Sequence, residues 1–327
     1  ENAIPNISMK YDPEITDDDF ALACVKCALK TAKPSFANHR MFKNELGENY
    51  VIASCYNGLQ LGGGAYTLCR LILGHIAERS AGIEDFKNNQ LPYVMDVMAK
   101  YIDARIAFEV EQSGFFESNF LAKEGLIHRD RFTGMFGLVG LADAVNVLMT
   151  KEGKDDRFGH SDAATQLGVE VMDMINEFNN NHFNKYCEGT GSHFLLHAQV
   201  GIADDKGIAP GTRIPIGEEP EELVDHLNVI SNFHKYFVSG TGDIFPVDLT
   251  VHKNPEYVLD IIKGSWQKDI RYLSFYSSDS DVIRITGYLV KRSEIEKYEQ
   301  GNAVLQNTTQ LGTGAKKNGR ILERKVR

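Results

Sequence analysis

The stretch Asp281-Val282-Ile283-Arg284-Ile285-Thr286-Gly287-Tyr288-Leu289-Val290 decides how the rest of the chain is read. Its apolar, β-prone residues predict a strand, and Gly287 interrupts it. A glycine in such a run ordinarily marks a bulge or a place where another backbone comes close. Immediately upstream, 270–276 and 244–250 read as strands, and 254–266, with Pro255 in its first turn, reads as the helix between them. Further back, 220–231 predicts a helix ending near His234, 194–202 a strand, and Ala209-Pro210-Gly211-Thr212-Arg213-Ile214-Pro215 an irregular loop. Strands alternating with helices indicate α/β organisation.

The first half is richer in helix. Helical periodicity runs over 65–79, 92–113, 134–150 and 161–180. A helix over 16–31 has Thr16 or Asp17 as its N-cap and is stopped by Pro34. A short strand at 6–11 precedes it, and an apolar, β-prone segment at 49–54 runs into the turn Cys55-Tyr56-Asn57-Gly58, followed by Gly62-Gly63-Gly64. Cys55 therefore sits at the tip of a strand-to-loop reversal. From Glu299 onward the chain reads as a partly extended tail.

The 327 residues carry 45 acidic and 35 basic side chains, a formal net charge of −10, and 43% of them are apolar. That composition is globular and long enough for about two domains or one large barrel. The acidic balance argues against a nucleic-acid-binding or membrane-surface role, since both need a basic face. Only 316–327 is clearly basic, and it reads as a solvated charge run or a docking handle. No apolar run spans a membrane and no signal peptide opens the chain, so the expected location is the cytoplasm. An odd set of five cysteines, Cys24, Cys27, Cys55, Cys69 and Cys187, fits free thiols in a reduced compartment, with all but Cys55 expected to pack as small apolar residues. Cys24 and Cys27 share a helix without a second pair, so no metal site is expected.

Arg284-Ile285-Thr286-Gly287-Tyr288, near the end of the chain, closely resembles the Arg-Val-x-Gly-Tyr signature of the glycyl radical enzymes, with Gly287 on the radical position. An α-carbon radical favours a planar centre delocalised over the flanking amides, and glycine alone has no side chain to crowd it. Such a radical works through a cysteine whose S–H bond is close in strength to the glycine C–H. Cys55, 232 positions earlier, fits that partner, and 51–59 has the strand-then-turn form of the finger loop that carries it in the family. The stretch from Tyr50 through Leu71, the 197–202 strand, the 210–220 loop, 239–245 and the ending Arg324-Lys325-Val326-Arg327 extend the resemblance to the YjjI-type group over nearly the whole chain.

The resemblance implies a C-terminal portion of a ten-stranded α/β barrel enclosing buried Cys and Gly loops. Residues 1–269 would form part of the barrel with the Cys55 finger, and 270–327 the glycyl radical domain and tail. It also implies a post-translational glycyl radical on Gly287 and no metal in this chain. A separate activating enzyme, holding a [4Fe–4S] cluster and S-adenosylmethionine, would install the radical under anaerobic conditions. The first half of such a barrel is missing, so either a second chain or an N-terminal half would complete it. A homodimer is compatible with this arrangement.

The residues around Cys55 separate the branches of that family. Ser54 stands where pyruvate formate-lyase-like enzymes have a second cysteine, which disfavours acyl transfer, and Asn57 replaces the glutamate of Cys-x-Glu branches, so no carboxylate waits two positions on. No cysteine follows Cys187, so the zinc-binding cysteines of the anaerobic ribonucleotide reductase-like branch are missing. Asn57, His193, His197, Gln199, Arg213, His234 and Asp243 are the candidates for substrate binding or acid–base work. His193, His197 and Gln199 alternate along the predicted strand and so share a face; Arg213 can clamp an anion; His197 and Asp243 would make an acid–base pair. The expected activity is hydrogen abstraction from a small substrate, leading to bond cleavage or rearrangement in a lyase or transferase reaction. The alternatives are a non-catalytic spare radical domain and a small-molecule-binding barrel that has lost the radical.

Overall fold

In the computed structural model of the chain, residues 7–53, 56–198, 208–284, 289–304 and 323–327 are described. Two sheets organise them. In the first, β1 (Ser8–Tyr11), β2 (Ser35–Asn38), β9 (Tyr272–Ser277) and β8 (Asp243–Val247) lie in the order β1-β2-β9-β8. β1 runs parallel to β2 and β8 parallel to β9, while β2 and β9 are antiparallel. The second sheet is all parallel, β5 (Gly64–Ile72), β6 (Phe132–Val139) and β7 (Leu195–Ala198). Two hairpins stand apart from the sheets, β3 (Tyr50–Ile52) with β4 (Gly58–Gln60), and β10 (Val282–Arg284) with β11 (Leu289–Lys291).

The longer helices are α1 (Asp18–Thr31), α2 (His39–Leu46), α3 (Leu73–Arg79), α4 (Leu91–Glu111), α5 (Leu141–Lys151), α6 (Asp162–Asn181), α7 (Leu223–His234), α8 (Glu256–Trp266) and α9 (Arg292–Glu299). Asp17 caps α1 by accepting from the Phe20 amide, and Ser161 caps α6 by accepting from that of Ala164. Each sheet has its own core. Leu71, Phe136, Leu138 and Leu196 of the second sheet pack with Ile102, Val145 and Val171 from its helices. Phe36, Phe245 and Leu273 of the first pack with Val25, Leu29, Val258 and Ile262.

Two helices expected from periodicity begin as strands. Residues 64–72 are β5 before the chain turns into α3, and 132–139 are β6 before α5. All eight residues of β6 are buried. A parallel strand covered on both faces reads as a continuous apolar run, which periodicity does not distinguish from a buried helix. The predicted strand at 194–202 is described only as β7, and its remainder from Gln199 lies outside the described residues. The cysteine expectation also needs correction: only Cys187 of the four is fully buried, Cys24 and Cys69 are half-buried, and Cys27 is exposed on the outer face of α1.

Candidate active site

The finger is the β3–β4 hairpin, with Tyr50 opposite Gln60 and Ile52 opposite Gly58. Past the strands the Ala53 amide donates to the Asn57 carbonyl at 2.9 Å and the Tyr56 amide to the Ala53 carbonyl at 3.1 Å. Tyr56 takes φ +71°, a conformation non-glycine residues hold only when their surroundings enforce it. Ser54 and Cys55 lie outside the described residues, between Ala53 and Tyr56, which are joined by that hydrogen bond.

A second segment braces this turn. The Gly58 amide donates to the Ser239 carbonyl at 2.8 Å, and the Ala198 amide at the end of β7 donates to the Gly240 carbonyl at 3.2 Å. Gly240 has φ +122°, and a Cβ there would stand 1.9 Å from the Tyr56 carbonyl oxygen. Only glycine permits that approach. The Ser239–Gly242 segment thus ties the finger to both sheets, since β8 begins at the next residue.

The other hairpin pairs Ile283 with Val290 and Arg284 with Leu289; Gly287 lies outside the described residues between its strands. Arg284 is completely buried, and its Nε donates to the Tyr56 hydroxyl at 3.4 Å. The residue after Cys55 is therefore hydrogen-bonded to the residue three before Gly287. The Arg284 and Arg213 guanidinium carbons lie 5.3 and 5.4 Å from the centroid of the Tyr56 ring, and Tyr272 meets it edge-on at 4.5 Å. Burial alone would push the Tyr56 phenol up, but the two guanidiniums outweigh it and hold the phenol below the ordinary tyrosine range.

Two buried polar atoms near this contact have no hydrogen-bond partner among the described residues. Arg213 donates through Nε to the Gly242 carbonyl at 2.6 Å, but its Nη2 is unpaired. Asn57 reaches the Met135 sulfur with Nδ2 at 3.7 Å, and its Oδ1 is unpaired. Buried polar groups left in this state are costly in isolation, which makes them candidates for contacts to a bound molecule. Among the described residues no group of three His, Cys, Asp or Glu side chains is arranged to hold a metal.

The histidines fall into two places. His197 Nδ1 bonds to the Ser239 hydroxyl at 3.1 Å, and that hydroxyl donates to the Leu196 carbonyl at 2.8 Å. The proton of His197 is thus on Nδ1, leaving Nε2 as an acceptor. Asp243 does not pair with His197. It pairs with His234 at 3.3 Å and faces His226, which sequence reasoning missed, at 3.6 Å. The Arg271 amide donates to His234 Nδ1 at 3.0 Å and Arg327 Nη2 to His226 Nδ1 at 2.9 Å, so each histidine turns its Nε2–H to Asp243. Burial opposes the Asp243 charge, but those two contacts and Arg213 hold its carboxyl far below the usual carboxylate range. The expected strand face fails for His193, which precedes β7 in a loop and bonds through Nδ1 to the His182 carbonyl at 3.0 Å. Gln199 lies outside the described residues.

Burial holds His197 down at about 4, against 6.5 in the unfolded chain. The unfolded state then binds the proton more readily, so the stability from this site is whole above pH 6.5 and drains away as pH falls toward 4. The full loss is about 3 kcal/mol. Urea unfolding of His197→Gln should therefore show a smaller drop between pH 7 and pH 4.5 than wild type; an equal drop in both would place the acid sensitivity elsewhere.

The profile described as "Glycyl radical enzyme YjjI-like" matches residues 1–327. The chain belongs to the YjjI-like glycyl radical enzyme family. It is 44% identical over 330 residues to an uncharacterised protein of Haemophilus influenzae, and 42% identical over 324 residues to the uncharacterised protein YjjI of Escherichia coli K12. These alignments cover 100% and 99% of this chain but 64% and 62% of the relatives, so the chain spans less than two thirds of the family members it matches. In fold it is similar to an anaerobic ribonucleotide reductase, with TM-score 0.67 at 14% identity, over 97% of this chain and 55% of the other. A structure titled for 1,2-propanediol dehydration in Roseburia inulinivorans gives TM-score 0.69 at 11% identity, over 99% and 53%. YjjI-like chains thus share the α/β barrel fold of glycyl radical enzymes, of which this chain provides about half.

Proposed function

We propose that the chain carries the radical machinery of a glycyl radical enzyme, with Gly287 storing the radical and Cys55 forming the thiyl that abstracts hydrogen from a small substrate. The observation that supports this is the Arg284–Tyr56 hydrogen bond, which joins the residue after Cys55 to the residue three before Gly287 across 228 positions of sequence. In this scheme Cys55 gives its hydrogen to the Gly287 radical, and the resulting thiyl takes one from a substrate carbon. The product radical takes that hydrogen back from Cys55 after cleavage or rearrangement, and the thiyl regains its own from Gly287, which restores the stored radical. The division into 1–269 and 270–327 then separates the thiyl finger from the segment that bears the stored radical.

Arg213 Nη2 and Asn57 Oδ1, which have no partner among the described residues, would supply a donor and an acceptor for the substrate, and His197 Nε2 a second acceptor. His234 and Asp243, occupied with each other and with Arg271, serve as support for Arg213. The radical would be installed by a separate S-adenosylmethionine-dependent activating enzyme in an anaerobic cytoplasm. Anaerobic activation followed by electron paramagnetic resonance tests the assignment: wild type should give a glycyl doublet and Gly287→Ala none. No doublet in activated wild type, or a doublet that survives in Gly287→Ala, would overturn it.

A further inference from the structure

The last residues of the chain are bound rather than solvated. The Arg327 amide donates to the Pro246 carbonyl at 2.8 Å and its carbonyl accepts from Asp248 at 2.7 Å, so it extends the free edge of β8. Its guanidinium reaches the carbonyls of Pro220 and Glu221 and the ring of His226, and Lys325 pairs with Glu221. Immediately before these anchors Arg324 turns inward and is buried. Its Nη1 donates to the Arg284 carbonyl at 2.8 Å and to the Tyr276 hydroxyl at 3.2 Å, with the guanidinium 5.9 Å from the Tyr276 ring centroid.

Arg284 is thus held at both ends, its side chain on Tyr56 and its carbonyl on Arg324. The β10–β11 hairpin has three residue pairs, too few to fix its own position. A charged donor to a buried carbonyl is among the stronger hydrogen bonds, and its loss leaves that acceptor uncompensated.

We propose that Arg324 is a positioning residue, and that the C-terminal segment is a strap holding the glycine hairpin against the cysteine finger. The catalytic meaning of this strap rests on the assignment of Gly287, whereas its mechanical effect on the hairpin does not.

Hydrogen exchange read by mass spectrometry on the unactivated full chain separates the two. Arg324→Ala should raise amide exchange within 282–291 about tenfold while 243–247 and 272–277 keep their wild-type rates. Arg324→Lys, which keeps the charge but not the fork, should fall between them and guards against a misfolded Ala variant. Wild-type exchange over 282–291 in both variants, or an equal rise throughout the chain, would overturn the proposal. In activated protein, Arg324→Ala should shorten the lifetime of the glycyl doublet at least threefold. If wild type gives no doublet while the exchange pattern holds, the strap stands and the radical assignment fails.

Discussion

Activated in heavy water, the wild-type chain is expected to lose the splitting of its glycyl doublet, whereas Cys55→Ser keeps it. The unpaired electron on a glycine α-carbon couples to the one hydrogen left there and splits the signal in two. Deuterium has a much smaller magnetic moment, so its splitting is lost in the linewidth. A thiol hydrogen exchanges freely with solvent, and passage of hydrogen between Cys55 and Gly287 would carry deuterium onto the α-carbon. A serine O–H bond is too strong to deliver its hydrogen to the glycyl radical, so that route closes and turnover falls to zero. The experiment needs no knowledge of the substrate. Cys27, exposed on α1, provides the control, since Cys27→Ser should behave as wild type. Loss of the splitting at the same rate in Cys55→Ser would remove Cys55 from the relay.

Gly240→Ala should be the most damaging single added methyl among the described glycines. The added Cβ would meet the Tyr56 carbonyl oxygen at 1.9 Å, and that oxygen is backbone, unable to swing aside. The residue also holds φ +122°, which an alanine adopts only under strain. Together the two effects should cost about 2–5 kcal/mol, read as a lower urea midpoint. The finger would have to retreat from Ser239, so the Gly58 to Ser239 hydrogen bond is the first to break. Gly264→Ala in α8, where a Cβ meets nothing within 4 Å, should be neutral or stabilising by about 0.5–1 kcal/mol. Equal midpoints for the two variants would show that the contact at Gly240 relaxes without cost.

The family was legible because its signals are local: a glycine inside a β-rich run followed by tyrosine, and a cysteine at a strand-to-turn reversal. Helices with a polar outer face were legible for the same reason, as at 162–181 and 256–266. The parallel strand β6 was not, because burial on both faces erases the alternation that marks a strand, and β5, only partly buried, runs straight into α3 so that the two read as one helical pattern. The roles of Tyr56 and Arg284 depend on a contact between distant segments, which neither residue announces alone. Asp243 was correctly singled out but given the wrong partner. His226 and His234 lie on one face of α7, eight positions apart, and that spacing was the signal that both could meet one carboxylate. The basic ending 316–327 was read as a solvated charge run or a docking handle; only its residues 323–327 are described, and among them Arg324 is buried, which composition alone does not announce.

The glycine hairpin also has a consequence for repair. Val282, Ile283, Leu289, Val290 and Ile295 share a small apolar cluster with Ala32, Ile244 and Tyr276, and Arg324 and Arg327 add hydrogen bonds to β8 and β10. A backbone break anywhere between Arg284 and Leu289 would therefore leave the downstream piece seated by non-covalent contacts alone. The seat is then defined by those apolar positions and arginines alone, and filling it needs no covalent bond to the rest of the molecule.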